Sequence, residues 1–305
     1  MKLTDLISLQ LTLFAMMLVG ALLRKKGIID ENGKKCLSDL CIQVVIPCNI
    51  FKSCLISLDG DILRSCAALL ISAVLMQALC LLLNKFLYKR YDPRREKVLQ
   101  YCTIVPMSGF LGNPIAEGIY GPVGILYTSI FLIPMRIVMW SVGTSYFIAG
   151  ETTDKKKVLK NILTHPCLVA IYLGLACMLT QVQLPGVITN TAKTIGSCNS
   201  ALTMFLVGTI LADVPLRSIF SKDTALFSLL RLAVLPACAL GVGLALHLNA
   251  TALGVSVLMT GMPAGATASI FAARYGSDSK FATQCVVFST LLSMVSLPIW
   301  AWVVG

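Results

Sequence analysis

The chain has 305 residues, of which 57% are hydrophobic and 13% are charged. Soluble domains carry about 25% charged residues, so this composition excludes an ordinary soluble fold and indicates a membrane protein. The net charge of +11 does not favour nucleic-acid binding, because the basic residues stand in short loops between apolar runs. In such loops they set the topology and contact anionic lipid heads.

The sequence predicts ten membrane-spanning helices, because a span takes about 20 mostly apolar residues. The predicted spans lie near 5–24, 36–56, 63–87, 97–119, 123–148, 165–182, 191–212, 224–246, 251–274 and 280–304. The first span ends in Arg24-Lys25-Lys26 and lacks a small-residue cleavage pattern, so we interpret it as a retained helix and not as a signal peptide.

The distribution of basic residues predicts the orientation of the spans. If the loop after the first span is cytoplasmic, the basic clusters within 24–35, 85–97, 155–160, 217–222 and 274–280 all lie on the cytoplasmic side. The opposite side retains Lys2, Lys52, Arg64 and Lys193. The positive-inside rule therefore predicts that both termini lie outside.

A weak internal repeat divides the chain into two halves. Tyr120-Gly121 and Tyr275-Gly276 stand at the same offset as Met107 and Met262. We expect a first five-helix repeat at 1–150, a cytoplasmic linker at 151–164 and a second repeat at 165–305. Because five is odd, the second repeat would be inverted, an architecture that is common among transporters.

The fourth predicted helix of each half is interrupted by proline and glycine, within 106–118 and 261–269. Such segments unwind, and unwound backbone in a bilayer is tolerated only where it is buried in protein or lines a wet cavity. The half-helix N-termini that result favour an anion. A GxxxG packing face formed by Gly261 and Gly265 is the structural alternative.

These interruptions supply the candidate site residues. The expected substrate-binding residues are Asn113, Pro114, Glu117, Met262, Pro263, Thr267 and Ser269. The candidate path-lining residues are Gln43, Asn49, Met107 and Ser108. Glu117 is the candidate proton carrier, with a place in reach of water near a helix end as the alternative.

Two arginines, Arg136 and Arg231, stand within apolar stretches. One interpretation makes them counter-charges for an anion. Snorkelling to the interface or pairing with a carboxylate is the alternative that the sequence favours.

The sequence carries no sign of an enzyme. The 12 cysteines form no CxxC pair, and only 2 histidines are present, so we predict no metal site and no cofactor. HExxH, GxSxG, Walker A and dinucleotide-loop motifs are all missing from the sequence. We therefore expect a protein that is not an enzyme.

Several motifs carry a resemblance to a known family. They are Gly109-Phe-Leu-Gly-Asn-Pro114 with Tyr120-Gly121, Met262-Pro-Ala-Gly265, Phe271-Ala-Ala-Arg-Tyr275, and the closing run from Phe288 to Pro298. The chain resembles the auxin efflux carrier family, which includes plant PIN proteins and bacterial malate or malonate permeases. Plant members often have a proline where this chain has Ala268.

The resemblance implies an all-α polytopic membrane protein with a fold like that of bile-acid sodium symporters. Ten helices would form two inverted five-helix repeats, with broken helices 4 and 9 crossing and a carboxylate bound beside the crossing. The first, second, sixth and seventh predicted spans would form a scaffold and dimer face, and the other spans would form a unit that moves as an elevator.

The expected function is secondary active transport of small organic anions, such as mono- or dicarboxylates, with H⁺ or Na⁺ coupling. We expect a homodimer in a bacterial inner membrane, in contact with lipid, with no nucleic-acid partner. A sodium-coupled symporter of the bile-acid-transporter type and a non-transporting membrane receptor are the alternatives.

Overall fold

The computed structural model describes residues 3–55, 60–147, 163–164, 166–182, 184–213 and 219–304. Every regular element in these ranges is helical, and their extended pairing is confined to one isolated bridge between Pro106 and Ala264. The α-helices are α1 Leu3–Lys25, α2 Glu31–Leu40, α3 Ile46–Ser53, α4 Gly60–Leu87, α5 Pro93–Ile104, α6 Asn113–Val138, α7 Thr144–Phe147, α8 Pro166–Thr180, α9 Gly186–Ser197, α10 Asn199–Ala212, α11 Lys222–Leu229, α12 Leu235–Ala245, α13 Ala250–Thr260, α14 Thr267–Arg274 and α15 Ser279–Val304.

Six helical stretches among the described residues are long and apolar enough to cross a membrane. They are Glu31–Ser53, Gly60–Leu87, Ser108–Phe147, Gly186–Ala212, Lys222–Ala245 and Ser279–Val304, and Pro166–Thr180 and Ala250–Thr260 are shorter apolar helices. The prediction of an all-helical polytopic membrane protein is confirmed. The division into ten spans and two inverted repeats stays a prediction, and residues 151–162 of the predicted linker lie outside the described residues.

Three prolines explain most of the irregular turns inside these stretches. The π-helical segments Cys41–Val45, Ser108–Gly112 and Leu230–Val234 each end two residues before a proline, namely Pro47, Pro114 and Pro236. Proline lacks an N–H group and clashes with the carbonyl four residues earlier, so the preceding turn widens. A fourth π-helical segment, Met139–Gly143, follows the end of α6 instead.

Helices α1 and α10 pack backbone against backbone. A Cβ atom on Gly20 would lie 2.3 Å from the Phe205 carbonyl oxygen, and one on Gly208 would lie 2.0 Å from that of Met17. No larger residue fits either position without moving a helix, so these glycines set the spacing of the pair.

Charged clusters join helix ends at two places. Asp213, next to α10, binds Arg24 Nε at 2.6 Å and Lys34 Nζ at 2.5 Å. Arg95 at the start of α5 binds Asp223 at 3.3 Å and Asp278 at 3.2 Å. The first cluster ties α1 and α2 to α10, and the second ties α5 to the beginnings of α11 and α15.

Candidate functional site

The two interrupted segments meet and pair through their backbones. The first break, 105–107, lies between α5 and a π-helical segment, and the second, 261–266, lies between α13 and α14. Met107 N–H donates to the Pro263 carbonyl at 2.8 Å, and Gly265 N–H donates to the Val105 carbonyl at 2.9 Å. Because each break supplies partners to the other, backbone groups freed from helices stay satisfied in an apolar interior.

Glycine is required at the closest point of this junction. A Cβ atom on Gly265 would lie 2.9 Å from the Val105 carbonyl oxygen and 3.4 Å from that of Pro106. Side chains complete the pairing: Ala264 N–H donates to Ser289 Oγ at 3.1 Å, and Ser108 Oγ donates to the carbonyl of Met259 at 3.0 Å.

Arg231 donates hydrogen bonds to backbone carbonyls at the same junction. Its side chain is buried, with Nε donating to the Met262 carbonyl at 2.9 Å and Nη1 donating to the Thr103 carbonyl at 2.7 Å. Thr103 lies in the last turn of α5, where a cation is favoured by the helix dipole. Arg231 is therefore buried instead of snorkelling, and it pairs with no carboxylate among the described residues, so the alternatives that the sequence favoured do not apply there.

The predicted residues of the second break lie at the junction or directly after it. Met262 and Pro263 contribute their carbonyls, while Thr267 and Ser269 lie in the first turn of α14. Thr267 Oγ1 accepts a hydrogen bond from the Tyr101 hydroxyl at 2.9 Å, and Ser269 Oγ is buried without a partner in the described part of the chain.

Asn113 and Pro114 open α6 and are not part of the break. The expected unwinding at Pro114 does not occur, because the wide turn before it accommodates the proline. Asn113 is 1% exposed, and both of its amide atoms lack hydrogen-bond partners among the described residues. Buried amides are nearly always paired, so Asn113, like the equally buried Asn199, needs a ligand or a water molecule.

Glu117 lies away from the junction. Ten residues of helix separate it from Met107, which corresponds to about 15 Å. Its carboxylate accepts hydrogen bonds from Lys52 Nζ at 2.9 Å and from Asn49 Nδ2 at 3.2 Å. Lys52 was expected only as a charge of the outer loops, and no sequence signal linked it to Glu117.

The candidate path residues separate into three environments. Met107 and Ser108 are buried; Met107 contacts the second break, and Ser108 contacts the end of α13. Asn49 is buried beside Glu117. Gln43 is exposed and lines two shallow grooves, one together with Asp39 and the other together with Pro47.

Comparison with known proteins decides the family. A family model described as "Membrane transport protein" matches residues 6–301. The chain belongs to this family. It is the auxin efflux carrier family that the motifs indicated, so the resemblance is confirmed and the chain is a membrane transport protein.

Relatives of this chain occur in archaea and in bacteria. An "uncharacterized transporter" of Methanothermobacter thermautotrophicus is 28% identical over 306 residues, covering 95% of this chain and 96% of the relative. YfdV of Escherichia coli K12, also named an uncharacterized transporter, is 24% identical over 303 residues and 96% of each chain. A third, from Methanocaldococcus jannaschii, is 22% identical, covering 96% of this chain and 97% of its own. Membership of a transporter family suggests a role other than catalysis.

Proposed function

We propose that this member of the auxin efflux carrier family is a secondary active transporter of small organic anions, such as mono- or dicarboxylates. The observation that carries the proposal is the junction of two broken helices, held by Met107 and Gly265 N–H groups. Asn113, six residues after Met107 at the start of α6, has a buried amide without a partner among the described residues. A rigid junction with unused polar groups nearby is the arrangement expected of a substrate site.

The half-helices give the proposed site its preference for anions. The Ala268 and Ser269 N–H groups in the first turn of α14 already donate to the Gly265 and Ala266 carbonyls, and the helix N-terminus carries partial positive charge. In the proposal, this positive helix end attracts the anion, while Asn113, Thr267 and Ser269 orient the ligand. Pro114, Met262 and Pro263 shape the backbone around it.

The proposed architecture is ten spans in two inverted five-helix repeats, 1–150 and 165–305 with a linker at 151–164, moving as an elevator. The two proposed repeats would meet at the paired breaks, which supports the proposal because a shared midplane site is typical of inverted repeats. We further propose a homodimer in a bacterial inner membrane with both termini outside, on the basis of the resemblance and the positive-inside rule.

Glu117 is the proposed proton carrier. Its hydrogen bonds from Lys52 and Asn49 are accepted by carboxylate oxygens, so protonation would free one or both partners. A proton arriving at Glu117 would thereby alter the contact between α3 and α6.

Transport by reconstituted protein tests the function. Proteoliposomes would be offered radiolabelled malate, malonate and an indole carboxylate, with imposed pH and Na⁺ gradients applied separately and protein-free liposomes as the control. Accumulation driven by the pH gradient supports the proposal, and accumulation driven by Na⁺ favours the sodium-coupled alternative. Saturable binding without flux of any of the three would indicate a receptor.

A further inference from the structure

Arg136, in the last turns of α6, is a buried cation without a described counter-charge. It is 6% exposed, and its Nη1 atom has no hydrogen-bond partner among the described residues. None of the ion pairs in the described part of the chain includes it. Because burying an uncompensated charge is costly, a guanidinium in this position points to an anion that is bound during function.

Comparison with Arg231 shows how unusual this environment is. Both arginines are buried, but the Arg231 guanidinium donates to two backbone carbonyls and serves the junction. The two structural explanations for a buried arginine in an apolar stretch, snorkelling and pairing with a carboxylate, both fail for Arg136 within the described residues. An anionic ligand would supply the counter-charge that the described residues do not.

The chain register places Arg136 level with the first break. Gly121 turns the chain, so the segments before and after it run antiparallel. A Cβ atom on Gly124 would lie 2.3 Å from the Ala116 carbonyl oxygen, and one on Gly143 would lie 3.4 Å from Ile104 Cδ1. Counting along both segments from these two contacts sets Arg136 opposite residues 104–111, which include the break at 105–107.

A second positive element is the N-terminus of α8. Helix α8 packs against α6, the helix that carries Arg136, and Cys167 is buried in its first turn. The first turn of a helix presents N–H groups and partial positive charge. A buried arginine and the N-terminus of a neighbouring helix together favour one kind of occupant, an anion.

We infer that Arg136 and the first turn of α8 form the site that receives the carboxylate group of the transported anion. The inference rests on the proposed function and deepens it, because it names the charged partner of the substrate. Asn113 and the first turn of α14 then orient the rest of the ligand from the side of the junction.

Ligand-dependent thermal unfolding of the purified full-length protein tests this site. The ligands are malate, malonate and an indole carboxylate, with the neutral diamide of malonate as the matched control. Wild-type protein should be stabilised by a carboxylate and not by the diamide. Arg136→Met should unfold at or above the wild-type temperature without ligand, but bind the carboxylate at least about tenfold more weakly. Arg136→Lys should recover part of the loss, because it retains the charge without the planar fork.

Arg231→Met is the contrasting variant, since it removes two carbonyl contacts and should lower the unfolding temperature without ligand. Wild-type uptake with an unchanged KM in Arg136→Met would overturn the inference and leave the proposed function standing. Instability of both Arg136→Met and Arg136→Lys would show a structural role, which also overturns it. If added anionic lipid raised the unfolding temperature and added carboxylate did not, the arginine would be assigned to a lipid headgroup, and the substrate site would be refuted. Absence of wild-type binding and uptake for all three carboxylates would instead refute the proposed function itself.

Discussion

Replacing Gly265 with alanine tests whether the paired breaks hold the molecule together. The added Cβ atom would lie 2.9 Å from the Val105 carbonyl oxygen, whereas ordinary contact begins at 3.4 Å. The two strands of backbone must therefore separate by about 0.5 Å, since neither atom belongs to a flexible side chain. The hydrogen bond from Gly265 N–H to that same oxygen, now 2.9 Å, would lengthen beyond the usual range.

The expected cost follows from two contributions. Forcing an extra methyl group into a packed interior costs about 1–3 kcal/mol, and leaving a buried backbone group unpaired costs about 1–3 kcal/mol. We therefore expect Gly265→Ala to lower the free energy of unfolding by about 2–6 kcal/mol. The variant should also lose uptake, because the junction positions the proposed substrate site.

Unfolding by a denaturing detergent, followed by circular dichroism, measures the stability, and proteoliposome flux measures the transport. Gly109→Ala is the matched control, because it lies beside the same junction and a Cβ atom added there would meet no other atom within 4 Å. That variant should keep wild-type stability or gain about 0.5–1 kcal/mol, as a helical glycine replaced by alanine does. A Gly265→Ala protein as stable and active as Gly109→Ala would refute the role of the close approach.

Three further substitutions test other parts of the argument. Glu117→Gln should lower pH-dependent uptake while leaving expression intact, and unchanged flux at every pH would contradict its role as proton carrier. Arg231→Met should lower the free energy of unfolding by about 3 kcal/mol or more, because two charge-assisted hydrogen bonds are lost, and detergent unfolding against wild type would show it. Burial raises the pKa of Asp213, but hydrogen bonds from Lys34 and Arg24 outweigh burial and lower that pKa below its usual value. A carboxyl with a depressed pKa stabilises the fold above its unfolded-state pKa, so Asp213→Asn should be less stable than wild type at pH 7. The difference in thermal unfolding should disappear as the pH falls below about 4, and a constant difference would contradict the ion-pair explanation.

The positions of both breaks were predictable from the sequence, whereas their extent was not. Proline and glycine identified the segments, because each restricts or frees the backbone in a known way. The interruption nevertheless stops at Met107, and Pro114 stands in the first turn of α6 after a π-helical turn. Whether a proline breaks a helix or widens it depends on the packing around the preceding turn, which a local pattern does not encode.

The sequence did not predict which groups the polar side chains contact. Lys52 contacts Glu117, and Tyr101 contacts Thr267, although the two members of each pair are far apart in the sequence. Such contacts depend on how helices pack in three dimensions. Residue type alone indicated that a charge in an apolar stretch needs a partner. It did not distinguish Arg231, which donates to two carbonyls, from Arg136, whose Nη1 atom has no partner in the described part of the chain.

The distribution of ion pairs adds a reason to assign motion to the contact between α3 and α6. One cluster joins α1, α2 and α10, and another joins α5, α11 and α15. Among the described residues, only the ion pair of Lys52 with Glu117 links the two parts of the proposed elevator. Lys52 belongs to the proposed scaffold, in the second predicted span, and Glu117 belongs to the proposed moving unit, in the fourth. Both side chains are partly exposed, at 19% and 27%, so the pair contributes about 1 kcal/mol or less. An elevator movement that separates α3 from α6 would have to break this pair, and a bond of that strength can be broken repeatedly by thermal motion or by one proton on Glu117.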